Sequence, residues 1–196
     1  ITGNISEISL GEIGRFLIKA VEKIDRGLSS VDYSKGVPAY FINELIDYKT
    51  GPDGEVIPLK FKQRSLPLFL EGFVRAFRLF DKEKIKQMHA FVKRSPLYDK
   101  KLKMYKLNVS LKNEPFEIGR IRVFNPGWLE NESVWLHMEY KYLLELLRAG
   151  LYDEFYKEFY NCFICYQDPA VYGRSILENS SFIVSSAYLD KKDWGR

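Results

Sequence analysis

The residues best equipped for chemistry fall in one run, Phe124-Asn125-Pro126-Gly127-Trp128-Leu129-Glu130-Asn131-Glu132-Ser133-Val134-Trp135-Leu136-His137. Asn131 stands where it would cap a following helix, its side chain accepting hydrogen bonds from backbone N–H groups of the first turn. His137 then lies one to two turns into that helix. By helical spacing it shares a face with Ser133, Tyr140 and Leu144, with Lys141 at the margin. Free N–H groups and the dipole at a helix start favour an anion, whereas Glu130 and Glu132 oppose a bare anion site. The combination suits a mixed site, in which Glu130 takes sugar hydroxyls while the helix start and His137 take a charged group. The plainer alternative is a core histidine bonded to a neighbouring carboxylate or carbonyl, because a polar group on an inner helix is costly unless paired.

Other residues could extend such a site. Tyr40, Trp128 and Trp135 offer flat rings to the C–H faces of sugars, although Trp135 equally suits core packing. Glu44, Asp47 and Glu178 are carboxylates near aromatic residues, as carbohydrate pockets often have. Arg120 and Arg122 are phosphate-capable, but on an extended segment such arginines commonly face solvent. Cys162 and Cys165, with only His89 and His137 elsewhere, are too few for a zinc site. Redox Cys-x-x-Cys pairs open a helix after a strand. This one falls inside or at the end of an aromatic-rich helix and reads as buried structural thiols. No metal or organic cofactor is expected.

These residues need elements to hold them. Leu10, Ile13, Leu17, Ala20, Val21, Ile24 and Leu28 recur at helical spacing and predict an amphipathic helix over residues 8–28. The aromatic segment from Val37 to Glu44 and the Gly51-Pro52-Asp53-Gly54 turn signal predict a β-hairpin or long ordered loop. Helices are predicted over 66–80, entered through Pro67, and over 82–94, ending near Ser95-Pro96. Residues 100–124 alternate apolar and polar and read as extended pieces or loops. A helix over 132–148, apolar around nearly its whole circumference, should be buried on all sides. Gly150 closes it, and a helix over 152–165 returns antiparallel to it. Long ordered insertions between helix pairs, without an internal repeat, fit a mainly α chain forming part of an α/α toroid. Such a toroid needs about a dozen helices and the chain offers about half as many, so residues 1–196 are expected to be an incomplete barrel.

Composition narrows the function classes. With 46% hydrophobic residues the chain can build a core. Its net charge of +4 is spread over clusters in which acids and bases interleave, so nucleic acid is not an expected partner. No apolar stretch approaches the ~20 residues needed to span a bilayer, and the N-terminus lacks a signal-peptide layout. The expectation is a cytoplasmic protein without a membrane partner. The start at Ile1 and the end at Trp194-Gly195-Arg196 read as cut ends of a longer protein.

The run Pro126-Gly127, Glu130-Asn131 and a histidine seven places after the glutamate resembles the signature of cellobiose phosphorylases and their relatives, glycoside hydrolase family 94. The block Tyr172-Gly173-Arg174-Ser175-Ile176-Leu177-Glu178 is similar to that family's later glutamate-containing segment, and an aromatic segment like Tyr40-Phe41 occurs upstream in it. The resemblance implies an (α/α)6 toroid and inverting phosphorolysis of a β-linked di- or oligosaccharide to a sugar 1-phosphate. Phosphate is already an anionic nucleophile, so one carboxylic acid and an anion site suffice. It implies His137 as a phosphate ligand and Glu130 as a contact to sugar hydroxyls; Asn131, Trp128, Glu178 and Tyr40 stand beside them as further substrate-binding candidates by residue type. The partners it implies are oligosaccharide, inorganic phosphate as co-substrate, and either a second copy or the remaining segments of the same protein. One departure is Glu132-Ser133 where the family has two glycines, which adds a negative charge and bulk near the phosphate; others are Phe124 for a tyrosine and Leu129 for a basic residue, which disfavour cellobiose as substrate. The family's catalytic aspartate lies upstream of this segment and a phosphate-completing loop lies beyond Arg196. The chain alone is therefore expected to be inactive, with no catalytic residue of its own. Alternatives are an inverting hydrolase, with a second carboxylate near Glu130 activating water, and a non-catalytic carbohydrate-binding or helical interaction domain.

Overall fold

A computed structural model of the chain describes residue 3, residues 7–172 and residues 182–196. The chain divides into two compact units, Ile1–Lys35 and Gly36–Arg196. In the first, α1 (Leu10–Ser29) opens on a reciprocal cap. The Glu12 N–H donates to Ser9 Oγ at 3.2 Å and the Ser9 N–H donates to Glu12 Oε2 at 2.9 Å. The predicted helix over 8–28 is thus present, with none of its residues buried.

The second unit begins with a long antiparallel hairpin, β1 (Phe41–Thr50) and β2 (Val56–Ser65), with register irregularities around Leu45 to Tyr48. The Gly51-to-Gly54 turn closes it, the Gly54 N–H donating to the Gly51 carbonyl at 3.1 Å with Gly54 at φ 79°. Chain 66–69 does not join a helix as its periodicity predicts. The Val109 N–H donates to the Leu68 carbonyl at 2.8 Å, the Leu70 N–H donates to the Leu107 carbonyl at 2.8 Å, and Phe69 bridges Asn108. That pairing delays α2 to Leu70–Ala76. α3 (Lys82–Arg94) starts on the Asp81 side chain, which accepts from the Lys84 N–H at 2.8 Å.

Residues 98–135 are neither helical nor simply extended. Short strands β3 (Tyr98–Asp99) and β4 (Met104–Tyr105) pair with each other, and 3-10 turns take Phe116–Ile118 and Arg120–Arg122. Strand β5 (Val134–Trp135) pairs with β6 (Phe182–Ile183), Trp135 lying opposite Phe182. α4 (Leu136–Arg148) and α5 (Tyr152–Cys162) follow, joined through Gly150 at φ 70°, and α6 (Pro169–Tyr172) is one turn. Leu70, Phe73, Val92, Leu97, Met104, Tyr105, Tyr142, Leu143 and Leu146 form the interior of this unit, with α4 packed on both α2 and α5.

The architecture is mixed α and β, which corrects the expectation of a mainly α, partial (α/α)6 toroid. Among the described residues the helices are interrupted by three two-stranded antiparallel sheets, and segments that a toroid would spend on helices are spent on β1–β2 and the 98–135 loops. A second correction concerns α4. It begins at Leu136, because Val134 and Trp135 are held in β pairing, and it is not buried all round. Leu136, Met138, Glu139, Tyr142, Leu143, Glu145 and Leu146 are buried, whereas His137, Lys141 and Leu144 face solvent. No helix among the described residues is long and apolar enough to cross a membrane.

Candidate functional site

The loop leading into α4 is held rigid by buried amides. Asn131, fully buried, donates from Nδ2 to the Phe124 carbonyl at 2.7 Å and accepts the Leu111 N–H on Oδ1 at 3.2 Å. Its predicted role as a helix cap is therefore corrected. The residue preceding α4 is Trp135, which makes no side-chain cap, and Asn131 staples the loop instead. Asn108 does the same from the other side, donating to the Glu130 carbonyl at 2.8 Å and accepting the Glu132 N–H at 2.6 Å. Ser133 Oγ donates to the Leu129 carbonyl, and Ser185 Oγ donates to the Glu132 carbonyl at 2.6 Å.

Backbone conformation explains the loop's sequence. Gly127 has φ 86°, and a Cβ there would lie 2.4 Å from the Tyr188 backbone nitrogen. Leu129 and Glu132 also adopt positive φ, 46° and 64°, a region that side chains disfavour. The Glu132 charge, which by sequence sits beside the anion site, is paired with Lys106 Nζ at 2.6 Å, side chains only 13% and 9% exposed respectively.

What this loop presents outward is a strip of aromatic rings ending in a histidine. Tyr188 lies 5.6 Å from Trp128, Trp128 lies 5.4 Å from Phe182, and Phe182 stacks on Trp135 at 6.1 Å. Trp135 meets the His137 ring edge-on at 5.6 Å. Trp135 Nε1 donates to the Leu129 carbonyl at 2.9 Å, which fixes the indole against the loop. Trp128 is 37% exposed, and His137 projects from the first turn of α4 into solvent. The core-histidine alternative for His137 is therefore set aside. Glu130 carries an ion pair to Arg120 Nη2, and Arg120, expected to face solvent, does so at 81% exposure while holding Glu130.

The remaining candidates lie elsewhere. Tyr40 donates to Glu71 Oε2 at 2.6 Å and packs edge-on to Phe69 at 4.7 Å. The Glu71 carboxylate, by accepting that proton, raises the Tyr40 pKa. Glu44 is bound by Arg64 at 2.7 Å, and Arg122 lies over the Phe116 ring while donating to the Glu114 carbonyl. Asp47 sits in β1 opposite Lys60. Glu178, with its block from Gly173, lies outside the described residues. Of the two cysteines, Cys162 is buried and Cys165 is exposed, so the expectation of two buried thiols is corrected for Cys165.

Sequence reasoning missed the titratable groups of the interior. Glu139, two residues after His137, is fully buried and accepts the Tyr105 N–H at 2.8 Å. Burial pushes its carboxyl up to about 8. His89 is buried with Nδ1 at 2.8 Å from Tyr142 Oη, and burial pushes it down to about 4, so it is neutral at pH 7. Lys93 Nζ pairs with buried Glu158 at 2.7 Å. Phe182 and Tyr188 were also missed, because only tertiary pairing with Trp135 and Trp128 brings them to the strip. Among the described residues no group of three or more His, Cys, Asp or Glu side chains is arranged to hold a metal ion. Comparison with protein-family models, with curated proteins and with solved structures found no match to this chain.

Proposed function

We propose that this chain supplies sugar and phosphate contacts to a carbohydrate-active enzyme that cleaves a β-linked di- or oligosaccharide with inorganic phosphate, inverting the anomeric centre and releasing a sugar 1-phosphate. The observation that carries the reading is the strip itself. A stapled loop presents Trp128 and Trp135 as ring platforms, Glu130 as an acceptor for hydroxyls, and His137 as an exposed imidazole on the first turn of α4. In this reading Trp128 stacks on a sugar ring, whose axial C–H bonds suit an aromatic face. His137 and the first-turn N–H groups of α4 take the phosphate. The resemblance to glycoside hydrolase family 94 assigns the same roles to Glu130 and His137. It gains support from Glu132, whose φ of 64° occurs where that family carries glycine.

Phosphorolysis is favoured over hydrolysis by the state of Glu132, the carboxylate two positions after Glu130. A water-activating base would have to be free, and Glu132 is committed to Lys106. Trp128 and Trp135 give the site an intrinsic fluorescence reporter. Titration with β-linked disaccharides and trisaccharides should change that fluorescence saturably, with inorganic phosphate and sugar each tightening the other's binding. Saturable sugar binding untouched by phosphate would favour a non-catalytic carbohydrate-binding role, and no response to either ligand would overturn the proposal.

A further inference from the structure

At the opposite end of α4 from His137, a cleft of about 330 Å³ opens between the end of α2, the first turn of α3 and the last turn of α4. Phe77, Phe80 and Ile85 form its apolar lining, and Arg78, Lys82, Arg148 and Glu145 its charged lining. Among the lining residues three cations face one carboxylate, while Asp81, next to Lys82, gives an oxygen to the Lys84 N–H. Glu145 is only 3% exposed, and both guanidiniums converge on the same oxygen of it. Arg78 Nε reaches Oε1 at 2.9 Å and Arg148 Nη1 reaches it at 2.8 Å. One carboxylate thus offsets one of two arginines. Lys82, exposed on the first turn of α3, adds a third cation and has no ion pair among the described residues. Each guanidinium carries five N–H donors in a planar fork, of which Glu145 uses a minority. Glu145 also fixes where the two forks stand, so the donors are oriented before any ligand arrives.

We propose that this cleft binds a small phosphate monoester with an apolar or aromatic body. At pH 7 a phosphate monoester carries a charge of about −1.5 to −2 and three acceptor oxygens, which matches the two uncompensated cations and their unspent donors. The body of the ligand lies along the half-buried Phe80 ring, since Phe77 and Ile85 are only 4% and 2% exposed, and the volume is at the lower end of ordinary small-molecule sites, roughly 300 Å³ and upward. The site is independent of the one at His137.

Calorimetric titration of the whole chain with phenyl phosphate tests the proposal, with benzyl alcohol as the neutral control and benzoate as the monoanionic one. Phenyl phosphate should bind saturably, benzoate at least tenfold more weakly, and benzyl alcohol without measurable heat. Lys82→Ala and Arg148→Ala should each weaken phenyl phosphate tenfold or more. Arg148→Ala leaves Glu145 paired with Arg78, so thermal unfolding should confirm that the variant stays folded. His137→Ala should leave this binding unchanged, which keeps a failure here distinct from a failure of the sugar and phosphate reading. Absence of saturable binding, or binding undiminished in both Lys82→Ala and Arg148→Ala, overturns the proposal.

Discussion

Two glutamate and histidine sets live in opposite surroundings. Toward the surface, half-buried Glu130 and exposed His137 belong to the segment that carries Trp128 and Trp135, one held by an exposed arginine and the other edge-on to an indole. In the interior, Glu139 and His89 are enclosed, one taking a backbone N–H and the other meeting a tyrosine hydroxyl. His137 and Glu139 are two positions apart in one turn of helix, so the rotation of α4 alone decides which contacts solvent. Residue type names the chemistry a side chain could do. The helix face decides whether it is a candidate ligand or a core contact.

The contrast should break most visibly at the loop. Gly127→Ala places a Cβ against the Tyr188 backbone, which cannot yield as a flexible side chain would, at a φ that side chains disfavour. A loss of about 3 kcal/mol is expected in denaturant unfolding, with the Trp128 and Trp135 fluorescence altered in the folded state. The two histidines should then separate by stability. His89→Ala removes a buried ring and strands the Tyr142 hydroxyl, for a cost of about 2 kcal/mol, whereas His137→Ala should stay within about 0.5 kcal/mol.

The buried pair also titrates in opposite senses. Glu139 has a folded pKa raised from 4.5 to about 8, so the native state holds a proton that the unfolded chain has lost, and stability falls as pH rises across that interval. His89 has a folded pKa lowered from 6.5 to about 4, so its contribution is full above pH 6.5 and is lost as pH falls toward 4. Unfolding measured against pH should therefore lose its alkaline decline in Glu139→Gln while keeping the acid one. Retention of the alkaline decline in that variant would remove Glu139 from the account.

Local structure was largely legible in the sequence where a segment answers only to itself. The stripe from Leu10 to Leu28 forms α1, Gly51 to Gly54 forms the hairpin turn, and Gly150 ends the region of α4. What failed depends on distant partners. Leu66 to Phe69 have helical periodicity, yet Tyr40 takes the Leu66 N–H and residues 107–109 draw Leu68 to Leu70 into backbone pairing. Val134 and Trp135 continue the apolar pattern of α4, yet Phe182 and Ile183 hold them as strand. Counting apolar positions around α4 passed over Glu139 and Glu145, which are as buried as their neighbours because specific donors meet them. Asn131 was singled out for the right property, an amide that satisfies backbone groups, but its partners are in the loop rather than the helix. In the candidate site, Trp128, Glu130 and His137 were legible as residue types with a spacing. Arg120, Phe182 and Tyr188 join them only through the folded chain.

Exposed His137 is available to an anion and enclosed His89 is not, a difference that can be read directly from the two imidazoles. Nitrogen-proton NMR spectra of the histidine rings, recorded while inorganic phosphate is added at constant pH and ionic strength, separate them in one experiment. The account predicts a saturable shift of the His137 ring with the His89 ring unmoved. An unmoved His137 ring, or equal displacement of both rings, would contradict it.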